Sequence, residues 1–233
     1  TVSIPSTLKN VIGAFRYSNK LTNFNIAPNS RFVFENGTLI DTTTMQVVFG
    51  TSTATITDNI GSIANYSFAG CIDLNSIYLP SNITYLGTDT FAGCSNLSSI
   101  VFEEGVTLIG SQCFYQCTNL VEIDLPDTLQ RVETNAFGQS GIVKLVFPEA
   151  TNNFGLNVCL NCASLEEVTF KNPNGVNMLE TTAGERKLFN GCYKLKTINV
   201  AWAEGVVPGA ETAWGAPDPN NVTINYNWTE DSE

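Results

Sequence analysis

The segment Ser67-Phe68-Ala69-Gly70-Cys71 returns as Thr90-Phe91-Ala92-Gly93-Cys94, as Cys113-Phe114-Tyr115-Gln116-Cys117 and as Ala136-Phe137-Gly138-Gln139-Ser140. The four phenylalanines stand 23 residues apart each time. A unit of this length cannot bury its apolar side alone, so copies must stack, and a stack of rungs presents its function as columns on a surface. The fixed period therefore predicts a mainly β repeat solenoid, built as one continuous domain.

Each unit carries two apolar clusters. The first is Leu-x-x-Ile-x-Leu, as in Leu74, Ile77, Leu79; Leu97, Ile100, Phe102; and Leu120, Ile123, Leu125. Its second half alternates with period two, the mark of a short strand with one buried face. Pro80, Pro126 and Pro148 follow directly and end the pairing. The second cluster is shorter: Ile83 with Leu86, Val106 with Ile109, Leu129 with Val132. It predicts a second extended arc on the opposite wall, after which the Phe-x-Gly-Cys segment turns the chain back. One phenylalanine per rung predicts a stacked aromatic spine.

The combined pattern Phe-x-Gly/Gln-Cys-x-x-Leu-x-x-Ile-x-Leu-Pro resembles the BspA-type leucine-rich repeat of bacterial surface proteins, from about Ile4 to Val200. The resemblance implies a right-handed leucine-rich repeat solenoid, an extracellular or cell-surface location, and a role in adhesion or protein binding. It carries over no catalytic residue, because the shared positions are structural.

Departures from the period divide the chain. Residues 4–26 read as a first rung, and Phe24 to Ile77 spans 53 residues, 30 more than one period. Within that excess, residues 27–56, Phe32-Val33-Phe34 and Val47-Val48-Phe49 flank Asn36-Gly37 and predict a hairpin added at the solenoid edge. Rungs of about 23 residues fill 57–200, except that Asn172 to Lys187 holds seven extra residues in a Gly-, Asn- and Thr-rich loop, a second place for ligand contact. Residues 201–233 read as a C-terminal cap with a last strand at Val222–Tyr226 and apolar cover from Trp202, Trp214 and Trp228.

Composition excludes several functions. With 22 acidic against 11 basic residues the chain disfavours phosphate backbones and anionic lipid, so no nucleic-acid partner is expected. No run approaches the roughly 20 apolar residues of a membrane helix, so no insertion by this segment is expected. Histidine is absent, which removes Ser-His-Asp and Cys-His catalysis and the commonest metal ligand. No cofactor or metal motif is present, and no enzymatic activity is expected. The chain opens at Thr1 with neither methionine nor leader, as a processed chain or a piece of a longer one would.

Of seven cysteines, Cys71, Cys94, Cys117, Cys162 and Cys192 hold one rung position. In-register side chains sit near the rung spacing of about 4.8 Å, wider than a disulfide needs, so they predict a buried ladder of unpaired thiols. Cys159 takes the phenylalanine position, making its Cys-x-x-Cys spacing with Cys162 a coincidence of the repeat. Asn-x-Ser/Thr triplets at Asn36, Asn65, Asn82, Asn96, Asn221 and Asn227 would be glycan acceptors in a eukaryotic secreted protein and read as products of composition in a bacterial one.

The informative columns are the outward residues of the Leu-x-x-Ile-x-Leu strand: Ser76, Ser99, Glu122, Lys144, Glu167, Thr197, and beside them Tyr78, Val101, Asp124, Val146, Thr169, Asn199. Most read as solvated strand residues. Tyr78, Val101 and Val146 are apolar where water is expected, and Glu122 with Asp124 adds charge, so these five form the candidate ligand-contact surface. The leading expectation is a non-enzymatic surface or secreted module that binds a host or matrix protein or an extended polymer. The alternatives are a carbohydrate-recognition or polysaccharide-processing module using acidic pairs with Tyr78, Trp202 and Trp214, and a structural spacer of a larger surface protein.

Overall fold

The structure is a computed structural model, and it describes residues 1–178, 187–207 and 214–230. Strand β1 (Val2–Ile4) pairs in parallel with β2 (Phe24–Ile26), and this pair forms the first rung. Then come β3 (Phe32–Glu35), β4 (Thr38–Asp41), β5 (Gln46–Gly50) and β6 (Ser62–Ile63). The stack continues with longer strands β7 (Ser76–Leu79), β9 (Ser99–Phe102), β12 (Lys144–Phe147), β14 (Glu167–Phe170) and β16 (Thr197–Val200) on one wall. Two-residue strands alternate with them on a second wall: β8 (Tyr85–Leu86), β10 (Leu108–Ile109), β11 (Arg131–Val132), β13 (Asn153–Phe154) and β15 (Asn177–Met178). Strand β17 (Thr223–Asn225) closes the first wall against β16. The chain is a mainly β solenoid with parallel rung-to-rung pairing and a spacing near 23 residues, such as Leu108 on Arg131 and Lys144 on Glu167.

The insertion differs from the expected hairpin. The Asn36-Gly37 turn, left-handed at both residues, joins β3 to β4, and β5 adds antiparallel to β4 to make a three-stranded meander. Strand β5 then pairs in parallel with β6, so the insertion runs into the solenoid and does not hang at its edge. The overlooked strand, Thr38-Leu39-Ile40-Asp41, is buried on both faces and lacks the alternation that betrays a half-exposed strand. Phe15, Phe24, Phe34 and Phe49 meet at 5.1 to 5.8 Å and anchor a small core of their own at this end.

The phenylalanine turns form a third wall with its own ladder. In each copy the N–H groups two before, at and two after the phenylalanine position donate to the following rung. Examples are Tyr66, Phe68 and Gly70 donating to Thr88, Thr90 and Ala92 at 3.0, 2.9 and 2.7 Å. The same three bonds recur from Asp89, Phe91 and Gly93, from Gln112, Phe114 and Gln116, from Asn135, Phe137 and Gln139, and from Asn157, Cys159 and Asn161. Aiming alternate N–H groups along the stack requires a left-handed backbone at both flanking positions, and Tyr66, Asp89, Gln112, Asn135 and Asn157, with Gly70, Gly93, Gln116, Gln139, Asn161 and Gly191, all have positive φ.

Inside this wall Phe68, Phe91, Phe114 and Phe137 stack with centroids 5.1, 5.6 and 5.5 Å apart. The spine stops at Cys159. Around it Phe147, Phe154 and Phe170 fill the interior, and Phe170 meets Trp202 and Trp214 at 5.6 and 6.2 Å. The two tryptophans are 2% and 1% exposed and seal the last rung.

All seven cysteines are buried and unpaired. The ladder also has a bonding role. Cys94 and Cys117 Sγ donate to the carbonyls of Phe68 and Phe91 at 3.1 and 3.2 Å, and Cys162 and Cys192 Sγ donate to those of Phe137 and Cys159 at 2.9 and 2.8 Å. Each of these carbonyls already accepts the N–H three residues on in its own rung, so the thiol takes its second lone pair. Burial pushes the Cys71 thiol up to about 11 and those of Cys94 and Cys113 well above the ordinary thiol range, so all three stay protonated near neutrality.

Two outcomes test this account. Gly93→Ala places a Cβ at ordinary contact distance, 3.5 Å from Tyr17, so it carries only left-handed strain of about 1–2 kcal/mol. In Gly70→Ala the Cβ lies 2.7 Å from the Tyr17 backbone, so chemical denaturation should show the larger loss there. Alkylation without reductant should add no label to the native protein and label all seven thiols once it is unfolded; intact mass reads the difference.

Candidate ligand-binding face

The long-strand wall is split. Strands β7 and β9 pair with each other alone, and β12, β14, β16 and β17 form a separate sheet. Between them lies the rung Glu122–Leu125, and among the described residues no backbone bond joins 122–125 to either neighbour; the flanking Asn119 and Val143 N–H groups do reach adjacent rungs, at 3.1 Å each. On the second wall β8, β10, β11, β13 and β15 run without a break, so the rung spacing is held there while the first wall opens.

The split opens into a trough of about 360 Å³ on the outward face. Glu122, Asp124 and Asp127 line its acidic side, and Lys144, Val146 and Lys171 the other. Ile123, which is buried, and Leu125, which is half-buried, also line it. Glu122, Asp124 and Asp127 form no side-chain hydrogen bond or ion pair among the described residues. Lys144 meets Glu167 at 3.0 Å, and Lys171 pairs with Glu230.

The five sequence-predicted residues separate into two groups. Glu122 and Asp124, both exposed, and half-buried Val146 share this trough. Tyr78 and Val101 pair side by side on β7 and β9, 42% and 53% exposed, outside it. The Tyr78 hydroxyl donates to the Glu103 carboxylate, whose other oxygen accepts the Ser81 N–H at 2.9 Å. That bond to Glu103 pushes the phenol up to about 12 and holds the carboxylate below its ordinary range.

Two column members are not solvated as expected. Thr169 and Asn199 are 1% and 4% exposed. The C-terminal segment returns across this part of the wall, with the Asn227 and Trp228 N–H groups bonded to the Trp202 and Val200 carbonyls at 3.1 and 3.0 Å. Under it Asn199 bonds Glu167, Thr169 and Asn225 at 3.1, 3.2 and 2.7 Å, so these polar groups are satisfied inside the stack. Trp228, read from sequence as cap, lines a second opening of about 250 Å³ with Val146, Lys171 and Glu230. Lys171 and Trp228 carried no periodic signal, although Lys171 stands where earlier rungs place Pro80, Pro126 and Pro148.

Of the Asn172–Lys187 loop, residues 179–186 lie outside the described residues. Its start is anchored by Asn172 Nδ2 donating to the Glu149 carbonyl at 2.6 Å. The aromatic platform needed for sugar recognition is not assembled, because Trp202 and Trp214 are core residues and stand apart from Tyr78. Among the described residues no cluster of three metal-ligating side chains occurs and no helix is long and apolar enough to cross a membrane.

Parallel short strands, phenylalanines stacked over four successive turns and an outward strand face define a leucine-rich repeat scaffold. The chain belongs to the BspA type leucine rich repeat family, matching it in six copies over residues 40–166 and 89–203. No curated protein sequence matches the chain. Among solved structures, a leucine-rich repeat protein from Bacteroides ovatus is 28% identical, aligns with 72% of this chain and gives a TM-score of 0.53. The chain spans only 45% of that protein. The T. pallidum leucine rich repeat protein is 25% identical over 75% of this chain and 78% of its own, also with a TM-score of 0.53. The pneumococcal vaccine antigen PcpA, 18% identical, shares the fold over 98% of this chain and 51% of its own, with a TM-score of 0.65.

The Tyr78–Glu103 pair gives a direct check. Its phenol ionises with a midpoint near 12 against an ordinary value of 10. The neutral form is the one held, so the bond persists through pH 10 and is lost as pH rises through 12. Ultraviolet titration should show one tyrosine ionising last in the wild type, and Glu103→Gln should move that midpoint down towards 10. An unchanged titration curve would show that the two groups do not meet.

Proposed function

We propose that this chain is a non-enzymatic binding module, displayed at the cell surface or secreted, that engages a host or matrix protein through the outward face of its long-strand wall. The observation that carries this reading is the trough at the split rung. It gathers Glu122, Asp124 and Val146 on the outward face of a repeat scaffold, and a regular exposed face of this kind suits a polypeptide better than a small molecule. Family membership supports a protein-interaction role, since the repeated positions build a scaffold and leave the outward columns to vary. The carbohydrate reading is weaker, because two of its three aromatics are buried.

The test uses the purified chain against a panel of immobilised matrix proteins. Val146→Arg fills the trough and should weaken any interaction by at least about tenfold, the scale of a central contact residue. Tyr78→Ala, which leaves the trough intact, should change it little. Equal binding by a folded Val146→Arg variant moves the site off this face, and glycan or peptide hydrolysis by the wild type ends the non-enzyme reading.

A further inference from the structure

We infer that the split rung is a docking slot for an extended, basic polypeptide segment, with lysine or arginine side chains seated on Glu122, Asp124 and Asp127. The inference rests on the strand-face reading above and gives its partner a chemistry.

Three observations converge at one place. The first is main-chain bonding. Among the described residues, 122–125 make no backbone bond to either neighbouring rung, and Ile123 and Leu125 are among the residues lining the trough. In a packed wall such groups normally find partners. Here they belong to a rung that lines a groove, and an extended polypeptide, with an N–H and a carbonyl at every residue, repeats at the spacing of a strand and can pair with them as a further strand would.

The second is the unequal treatment of charge along the wall. At the basic end Lys144 and Lys171 already hold Glu167 and Glu230. At the acidic end Glu122, Asp124 and Asp127 hold nothing among the described residues. The complement left unmet is cationic, and a side chain bearing a positive charge supplies it.

The third is an occupant of the same wall. The C-terminal segment Trp228–Glu230 lies across the neighbouring strands as a length of this chain's own polypeptide, docked by a main-chain bond to Val200 and by an acid on Lys171. The wall thus receives a strap by main-chain bonding plus one opposite charge. The vacant acidic half offers the same two elements with the sign of the charge reversed.

The experiment measures fluorescence anisotropy of a labelled decapeptide with alternating lysine and serine, at 0.05 M and 0.5 M salt. An aspartate–serine decapeptide and a neutral chitin hexasaccharide serve as comparisons. Saturable binding of the basic peptide alone, weakened by salt, is expected. The triple variant Glu122→Gln, Asp124→Asn, Asp127→Asn should lose at least about tenfold in affinity. Glu35→Gln, Asp58→Asn, Asp73→Asn removes as much charge elsewhere and should leave binding within about twofold, which separates a site from the general field of an acidic chain.

No saturable binding of the basic peptide overturns the inference, as does an equal loss in both triple variants. Preferred binding of the hexasaccharide overturns it in favour of a carbohydrate ligand. Failure of this inference and failure of the broader reading are distinguishable. A matrix protein released by Val146→Arg but held by the site triple variant leaves the strand face as the binding surface and removes the basic chemistry. A protein held by both variants removes the strand-face reading as well.

Discussion

The inter-rung hydrogen bonds of the phenylalanine turn govern the rest of this structure. Three N–H groups per rung point along the stack, and the two N–H groups between them close turns within the rung, as Ser67 does to Ala64 and Ala69 to Tyr66. The geometry forces left-handed backbone at two positions in each copy, mostly at residues other than glycine. Such residues cost about 1–2 kcal/mol each, while each bond returns about 0.5–1.5 kcal/mol net. The turn is therefore close to neutral by itself. Burial of the aromatic spine makes the stack favourable, each phenylalanine contributing on the order of 1.5–3 kcal/mol. Asn, Asp and Gly recur at the left-handed positions because a short polar side chain or none reduces that strain, whereas Gln112, Gln116 and Gln139 bear it in full.

The cysteine column follows from the same bonds. A carbonyl at the phenylalanine position accepts one N–H from its own rung and keeps a second lone pair facing the next rung. A thiol three residues past the next phenylalanine reaches it, as Cys94 reaches Phe68 and Cys117 reaches Phe91. Sequence periodicity was enough to place these sulfurs in one buried column and to exclude their pairing. It held no sign of the carbonyl, because a thiol's weak donation leaves the residue looking like any small apolar filler.

The period made the rungs, the spine and the strand wall legible, since each depends on residues recurring at a fixed distance. What lay outside the period was hidden. Strand β4 was missed because it is buried on both faces, and its partner β5 was assigned to the wrong neighbour. Thr169 and Asn199 were read as solvated because their covering segment, Trp228 with its main-chain bond to Val200, belongs to the aperiodic tail. In the candidate site, Glu122, Asp124 and Val146 stood in columns and could be seen. Lys171 and the split itself could not, because a missing hydrogen bond leaves no mark on residue type.

The place of the split has a physical logic. A stack held by one ladder would bend or part where that ladder failed. Here the second wall and the phenylalanine turns continue past Glu122–Leu125, with Leu108 and Ile109 still paired to Arg131 and Val132 and Gln112, Phe114 and Gln116 still bonded to the next rung. Two intact walls fix the spacing, so the third can leave a rung unpaired at little structural cost. An unpaired rung is also free of the cross-strand partners that constrain a sheet residue, whose pairings are worth roughly 0.2–1 kcal/mol each. Glu122 and Asp124 can therefore be exchanged for other side chains with less effect on stability than Val101 or Lys144, which sit in paired strands. A repeat protein that must vary what it binds while keeping its stack intact gains most by placing its variable residues on such a rung.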